Sequence, residues 1–134
     1  MASGAFPDAL AMKRIKYDPA VPPAERDRWA AALRAAGRRS EAILLYDGRP
    51  GDPALREDVA WAVATGASFT LGALRRMGVE ISDERLRACA QNAEAKGRWY
   101  DAYRCYERLA DAEALARVKE HLPGFSLAVP ENKK

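Results

Sequence analysis

The feature that most constrains this chain is a residue pattern that occurs twice, with sixty residues between equivalent positions. We predict that in each copy the glycine ends one helix, the alanine lets the next helix cross closely, and the tyrosine fills the space one turn later. The chain is therefore expected to contain at least two helical hairpins of one design. The two copies read Trp29-Ala30-x-x-Leu33-x-x-x-Gly37-Arg38-x-x-Glu41-Ala42-x-x-x-Tyr46 and Cys89-Ala90-x-x-Ala93-x-x-x-Gly97-Arg98-x-x-Asp101-Ala102-x-x-x-Tyr106.

The composition favours helices throughout the body of the chain. Alanine is the strongest bias, as in the runs 29–32 and 60–62, and alanine, arginine and glutamate have high helix propensity. β-branched residues nowhere form an alternating run of strand length in the body of the chain. With 134 residues, the chain is too short for two domains with full cores. We predict one all-α domain.

Prolines, glycines and capping residues divide the chain into three regions. Residues 1–22 contain several prolines and no sustained periodicity, so they are predicted to form an extended N-terminal arm. Residues 23–122 are predicted to form the helical domain, and residues 123–134 a C-terminal tail. Seven helices are predicted, at about 23–37, 38–47, 53–66, 67–77, 82–97, 98–109 and 111–122.

The stretch from Gly97 to Arg108 resembles the second half of a tetratricopeptide repeat. The resemblance implies stacked antiparallel helical hairpins, about three helix pairs with a C-terminal capping helix, in an α-solenoid. The sequence departs from that family, because its two good units are sixty residues apart while the repeats recur about every 34 residues. In the middle hairpin, Leu71 and Arg75 stand where an alanine and an aromatic residue are expected. The alternative is a helical bundle without repeats.

Few residues offer catalytic chemistry. His121 is the only histidine and lies at a predicted helix end, where capping is the expected role. Nearly all of the acidic residues are interleaved with arginines on the predicted helix surfaces, which is the usual pattern of solvated faces. Glycines occur singly, so no phosphate-binding loop is present. We therefore expect a protein that is not an enzyme and has no metal or cofactor.

The two cysteines, Cys89 and Cys105, each lie eight residues from Gly97. On the two arms of one hairpin they are expected at similar heights. Two thiols do not make a zinc site, which needs four ligands, and reduced cysteines are common in protein cores. A packing role is favoured over a redox role.

Two other sequence features allow more than one interpretation. Met12–Tyr17 and Phe125-x-Leu127-x-Val129 alternate with period two and are expected to lie over the ends of the helical stack or to bind a partner. Arginine pairs at 38–39 and 75–76 lie at predicted hairpin ends and could contact nucleic acid. A net charge of only +3 makes nucleic acid the less favoured partner.

These observations predict a protein-binding adaptor or scaffold subunit that binds a peptide or another protein. No apolar run reaches the length of a membrane span and no secretory signal is recognised, so a cytoplasmic location without membrane insertion is expected. The alanine- and arginine-rich composition is compatible with a bacterial assembly. A nucleic-acid-associated regulator that uses arginine-rich hairpin tips is the alternative, and self-association is left open.

The resemblance also implies which residues meet the partner. In tetratricopeptide repeats the first helix of each pair lines the concave surface, and its polar residues contact the ligand. Asp27 and Ala31 replace members of the family's carboxylate clamp, so that clamp is not predicted. Arg34 and Arg87 are instead expected to pair with carboxylates of an extended or helical peptide. The partner-binding residues implied in this way are Asp27, Arg28, Arg34, Glu84, Arg87, Gln91 and Glu94.

Overall fold

A computed structural model describes residues 8–123, and in this part of the chain all regular structure is α-helical. Residues 8–123 form eight helices where seven were predicted, and the all-α class is confirmed. The predicted C-terminal tail lies outside the described residues except for Pro123. The helices are α1 (Ala9–Tyr17), α2 (Pro23–Ala35), α3 (Arg39–Leu44), α4 (Leu55–Thr65), α5 (Ser68–Arg76), α6 (Asp83–Ala95), α7 (Trp99–Leu109) and α8 (Ala112–Lys119).

The additional helix, α1, lies where an extended arm was predicted, so that prediction is wrong for Ala9–Tyr17. The Asp8 carboxylate caps the helix by accepting a hydrogen bond from the Ala11 amide at 2.8 Å. Ile15 is the buried residue of α1, and one buried position cannot distinguish a helical period from an alternating one. The apparent period of two in Met12–Tyr17 therefore misled the sequence interpretation.

The chain divides into two compact units. Within the described residues, unit 1 comprises residues 8–58 and 73–79, and unit 2 comprises residues 59–72 and 80–123. Helices α4 and α5 each contribute residues to both units.

Unit 1 contains the first copy of the repeated pattern. Helix α2 begins with Pro23 in its first turn and packs on α3, and α1 contacts α2. The core of unit 1 contains the buried side chains of Leu33, Ile43 and Leu45. Helix α3 is shorter than the predicted 38–47. After Leu44 the backbone amides bond to carbonyl oxygens three residues earlier instead of four, and the chain then turns at a glycine.

Unit 2 contains the second copy. Helix α6 is capped by the Ser82 hydroxyl and packs on α7, and α8 packs on α7 in turn. The end of α4 approaches α6 so closely that a Cβ on Gly66 would lie 2.6 Å from the Ala93 Cα. Only a residue without a side chain fits at this approach.

The two copies of the pattern have the roles predicted for their residues. Gly37 and Gly97 have φ angles of +79° and +72°, the left-handed conformation that ends a helix. In each copy the amide after the glycine donates a hydrogen bond of 2.8 Å to the carbonyl oxygen five residues earlier. Ala42 and Ala102 are fully buried. This local design of the two hairpins is confirmed.

Candidate functional site

Each hairpin buries the tyrosine at the end of its pattern and satisfies its hydroxyl with a carboxylate from the first helix. The Tyr46 hydroxyl donates to Asp27 Oδ1 at 2.5 Å, and the Tyr106 hydroxyl donates to Glu94 Oε1 at 2.9 Å. Burial, followed by the hydrogen bond to the carboxylate, raises the pKa of both tyrosines. Asp27 and Glu94, both predicted to contact a partner, are thus already bound within their own hairpins.

Arg34, the first predicted anchor for a partner's carboxylate, binds an aspartate of its own chain. Its guanidinium makes a bidentate pair with Asp58, with N–O distances of 2.9 and 2.6 Å. Arg39 donates to the same carboxylate at 2.6 Å, and the Asp58 side chain is 0% exposed. The hydrogen bond to Asp58 raises the pKa of Arg34. Two arginines therefore neutralise one buried carboxylate inside unit 1.

Asp58 is an exception to the expectation that nearly all acidic residues lie on solvated faces. Its neighbours in the apolar stripe, Leu55 and Val59, are both buried, and Asp58 lies three residues after the first of them. Burying a carboxylate is unfavourable unless it is paired and hydrogen-bonded. The helical period of α4 already contained this signal, because a residue flanked by buried stripe positions turns inward with them.

Arg87, the second predicted anchor, also has an internal partner. It donates to Asp111 Oδ2 at 3.1 Å, and Asp111 Oδ1 accepts from the Ala114 amide to cap α8. The bond from Ala114, and then the pair with Arg87, lower the pKa of Asp111. The Arg87 side chain stays 47% exposed, so this is a surface pair of the kind that stabilises weakly.

Glu94 joins a third internal pair, because Arg117 of α8 contacts both of its oxygens, at 2.6 and 2.9 Å. Hydrogen bonding from Arg117 lowers the pKa of Glu94. The Arg117 guanidinium lies 5.8 Å from the Tyr106 ring centroid, as Arg34 lies 5.9 Å from that of Tyr46. In each unit an arginine therefore lies over the buried tyrosine. It is Arg34 of α2 in unit 1 and Arg117 of α8 in unit 2.

The remaining predicted partner-binding residues are not used in these charge pairs. Arg28 is exposed, and its guanidinium lies 5.3 Å from the Trp29 ring centroid. Glu84 and Gln91 are exposed on α6. Arg28 belongs to unit 1 and the other two to unit 2. Together with the partly exposed Arg87, Glu84 and Gln91 form the available polar face of α6.

The arginines at two hairpin ends are also paired within the protein. Arg38 makes a bidentate pair with Glu41, and Arg39 binds the buried Asp58. At the equivalent end in unit 2, Arg98 pairs with Asp101 and donates to the Thr65 carbonyl oxygen. These contacts reduce the number of guanidinium groups that the hairpin ends present for phosphate binding.

An exposed aromatic surface in unit 2 was not predicted from the sequence. Phe69 is 68% exposed and Tyr100 is 61% exposed, and the Arg104 guanidinium lies 4.9 Å from the Phe69 ring centroid. Ser68 donates two hydrogen bonds to Asp101, which joins the first turns of α5 and α7. Tyr100 and Arg104 are one turn apart on α7. We call Phe69, Tyr100 and Arg104 the aromatic surface.

A signal for this surface was present in the sequence. The apolar stripe of α7 comprises Trp99, Tyr103 and Tyr106, and Tyr100 lies off that stripe by one residue, about 100° around the helix. An aromatic residue displaced from the apolar stripe is expected to point to solvent.

His121 stacks on a tryptophan, where side-chain capping of α8 was predicted. Its ring lies 3.9 Å from the Trp99 ring, measured between centroids, with an interplanar angle of 8°. Its backbone amide donates to the Val118 carbonyl oxygen and closes the end of the helix. The side chain therefore joins the end of α8 to the first turn of α7.

Both cysteines are buried and reduced in unit 2. The Cys89 thiol donates to the Ala62 carbonyl oxygen at 3.5 Å. Interaction with the neighbouring Cys105 sulfur, and then burial, raise the pKa of Cys89. The predicted burial on two arms of one hairpin is confirmed, and it favours packing over thiolate reactivity.

We predict that neither thiol reacts rapidly in the native protein. Because modification needs local opening of the α6–α7 hairpin, thiol–disulfide exchange with Ellman's reagent should be roughly a hundredfold slower than in denaturant. The reaction is followed by absorbance, with the same protein in 6 M guanidinium chloride as the reference. Rapid modification of both cysteines in the native protein would contradict the packing role.

The described residues contain neither a metal-binding cluster nor a membrane-spanning helix. Within residues 8–123, no group of three or more histidine, cysteine, aspartate or glutamate side chains could hold a metal ion. Over the same residues, no helix combines the length and the apolarity needed to cross a bilayer. Comparison of the chain with protein-family models, with curated proteins and with solved structures finds no match.

Proposed function

We propose that this protein is a non-enzymatic adaptor or scaffold subunit that binds another protein through the surfaces of its helical hairpins. The proposal includes the stacking of the hairpins in the manner of tetratricopeptide repeats, with α8 as the capping helix. Two hairpins with the same glycine, alanine and tyrosine arrangement support that likeness. A cytoplasmic role in a bacterial assembly is part of the proposal.

The observation that carries the proposal is the aromatic surface. Two aromatic rings that are more than half exposed, with a guanidinium over one of them, combine residue types that dominate binding energy at protein interfaces. The hydrogen bonds between Ser68 and Asp101 hold the two helices that present these rings. The helices that carry the rings are therefore already held together in the free protein, which limits the conformational entropy lost on binding.

Because Arg34 is paired within the protein, it is not part of the proposed contact. That guanidinium would have to leave the buried Asp58 to bind a partner's carboxylate, at the cost of an unpaired buried charge. The polar face of α6, with Glu84, Arg87 and Gln91, remains a second proposed contact. Its side chains are hydrated and contribute less per residue than desolvated aromatic anchors.

Nucleic acid is the alternative ligand, and one feature favours it. Exposed rings next to an arginine can stack on unpaired bases, with about 1–3 kcal/mol per stacked base. Of the arginines that the sequence suggested for this role, Arg38 and Arg39 are paired with carboxylates. We therefore propose a protein ligand in preference to nucleic acid.

We predict that Phe69→Ala with Tyr100→Ala removes the captured partner. The tagged full-length protein is recovered from nuclease-treated cells, and co-purifying proteins are quantified by mass spectrometry. Loss of two anchors of about 2 kcal/mol each should lower recovery at least tenfold. Because both rings are exposed, the melting temperature should change by less than about 3 °C.

The matched control is Glu84→Ala with Gln91→Ala, which alters the polar face of α6 in the same unit. If recovery of the partner falls with this control and not with the aromatic variant, the contact lies on the polar face of α6. The adaptor function would be contradicted if the protein captured only nucleic acid when nuclease is omitted and captured no protein after nuclease treatment. That result would support the nucleic-acid alternative.

A further inference from the structure

Helix α7 presents two exposed arginines, Arg104 and Arg108, at the aromatic surface of unit 2. They lie one turn apart, and the first of them covers the Phe69 ring. Neither guanidinium forms an ion pair within the part of the chain that the structure describes. Arg98 and Arg117 of the same unit, by contrast, each bind a carboxylate. Two positive charges beside the exposed rings are therefore available to a ligand.

Contacts on two sides of α7 show which neighbour lies on each side. Ser68, the first residue of α5, donates two hydrogen bonds to Asp101. Trp99 stacks on His121, which follows α8. Since Trp99 and Asp101 are two residues apart, their side chains leave the helix about 200° apart. Helices α5 and α8 therefore lie on different sides of α7.

The helical period places both arginines on the side of α5. Measured around the helix from Tyr100, Asp101 lies at about 100°, and Arg104 and Arg108 lie in the same direction at about 40° and 80°. Glu107 lies about 20° in the opposite direction, which is the direction of α8. The two arginines thus stand between Tyr100 and the helix that carries Phe69.

The acidic groups around this surface do not neutralise the two arginines. Asp101 accepts from Ser68 and pairs with Arg98. Helix α5 contains no acidic residue. Glu107 is exposed and forms no ion pair with another described residue. The side of the aromatic surface that faces α5 is therefore positively charged, and it is complementary to carboxylates.

The spacing of these side chains indicates the conformation of the ligand. Tyr100, Arg104 and Arg108 follow one another at intervals of four residues, which is about 6 Å along a helix. An extended peptide places the side chains of one face about 6.7 Å apart, because every second residue points the same way. Three alternate residues of an extended segment can therefore meet these three side chains in turn.

We infer that the aromatic surface binds an extended acidic segment of another protein, with an apolar residue and then acidic residues at alternate positions. The apolar residue packs on Phe69 and Tyr100, and the two carboxylates pair with Arg104 and Arg108. This inference rests on the proposed function, whose aromatic surface it uses. A nucleic acid matches less well, because it carries a phosphate at every nucleotide and Glu107 borders the surface.

Peptide selection tests the chemistry of the ligand without knowledge of the partner. A phage-displayed library of random peptides is selected on the full-length protein, and peptides that also bind the variant Phe69→Ala with Tyr100→Ala are removed. We expect the remaining peptides to contain the pattern apolar-x-acidic-x-acidic, in either chain direction. Remaining peptides that lack the pattern would overturn the inference and leave the adaptor function in place. The absence of any peptide that requires the rings would also overturn the inference.

Fluorescence anisotropy with the most enriched peptide then measures the contribution of each charge. Arg104→Gln and Arg108→Gln should each weaken binding about fivefold or more at low salt, and less at high salt. The matched control is Arg85→Gln, which removes the same charge from an exposed position on α6 and should change the affinity less than about twofold. Unchanged affinity in both α7 variants would overturn the inference.

A labelled oligothymidylate is titrated in the same assay. If it binds more tightly than the peptide and loses affinity in the same arginine variants, nucleic acid replaces the acidic segment as the ligand. If the acidic peptides bind as expected while no protein co-purifies from cells, the adaptor function fails and the acidic-peptide site stands. The two proposals can therefore fail separately.

Discussion

Replacing Gly66 with alanine is expected to destabilise the protein by about 2–5 kcal/mol, from two additive causes. Gly66 has a φ of +74°, in the left-handed region, where a side chain costs about 1–2 kcal/mol. The added methyl group would also lie 2.6 Å from the Ala93 Cα and 2.7 Å from its nitrogen. Because these are backbone atoms, α4 and α6 would have to separate. Urea unfolding followed by circular dichroism measures the loss.

The matched control is Gly97→Ala in the same unit. Its φ of +72° is nearly the same, but the nearest atom to an added Cβ is Trp99 Nε1 at 4.0 Å, an ordinary contact. Only the conformational cost of about 1–2 kcal/mol should remain. Equal losses in the two variants would show that the approach of Gly66 to Ala93 does not constrain unit 2.

Asp58→Asn is expected to cost about 3–5 kcal/mol, although it changes the side-chain volume little. The substitution leaves Arg34 and Arg39, which are 11% and 17% exposed, around a neutral amide that donates as well as accepts. Two partly buried guanidinium groups would then lose their shared counter-charge. The free energy of unfolding in urea at neutral pH measures the effect.

Glu41→Gln is the matched control, since it also changes a carboxylate to an amide opposite an arginine in unit 1. Arg38 and Glu41 are both more than 40% exposed, so their pair should contribute less than about 1 kcal/mol. Salt at 1 M should reduce this small effect and leave that of Asp58→Asn largely unchanged. Similar losses in the two variants would contradict a specific role for the buried carboxylate.

Several predicted partner contacts illustrate the limit of inference by position. Asp27, Arg34, Arg87 and Glu94 lie on first helices, as predicted, yet each binds a residue of its own chain. A charged residue off the apolar stripe has the same periodicity whether it meets solvent, a partner or a neighbouring helix. The pairs of Arg34 and Arg87 join residues 24 positions apart in sequence, which no local pattern specifies.

The sequence by itself determined the local structure of this protein. Alanine-rich segments form the helices, Asp8, Ser82 and Asp111 cap them, and glycines end them, because these effects act within one turn of the chain. The repeated pattern likewise determined the design of two hairpins.

Only the tertiary structure decided which groups remain available for binding. It paired Arg34 with Asp58 and Arg87 with Asp111, and it left Phe69 exposed. The physical reason is that burial and charge pairing depend on which elements meet in space. A periodic sequence specifies one face of a helix, and the neighbour that covers that face is specified only by the packing of the whole unit.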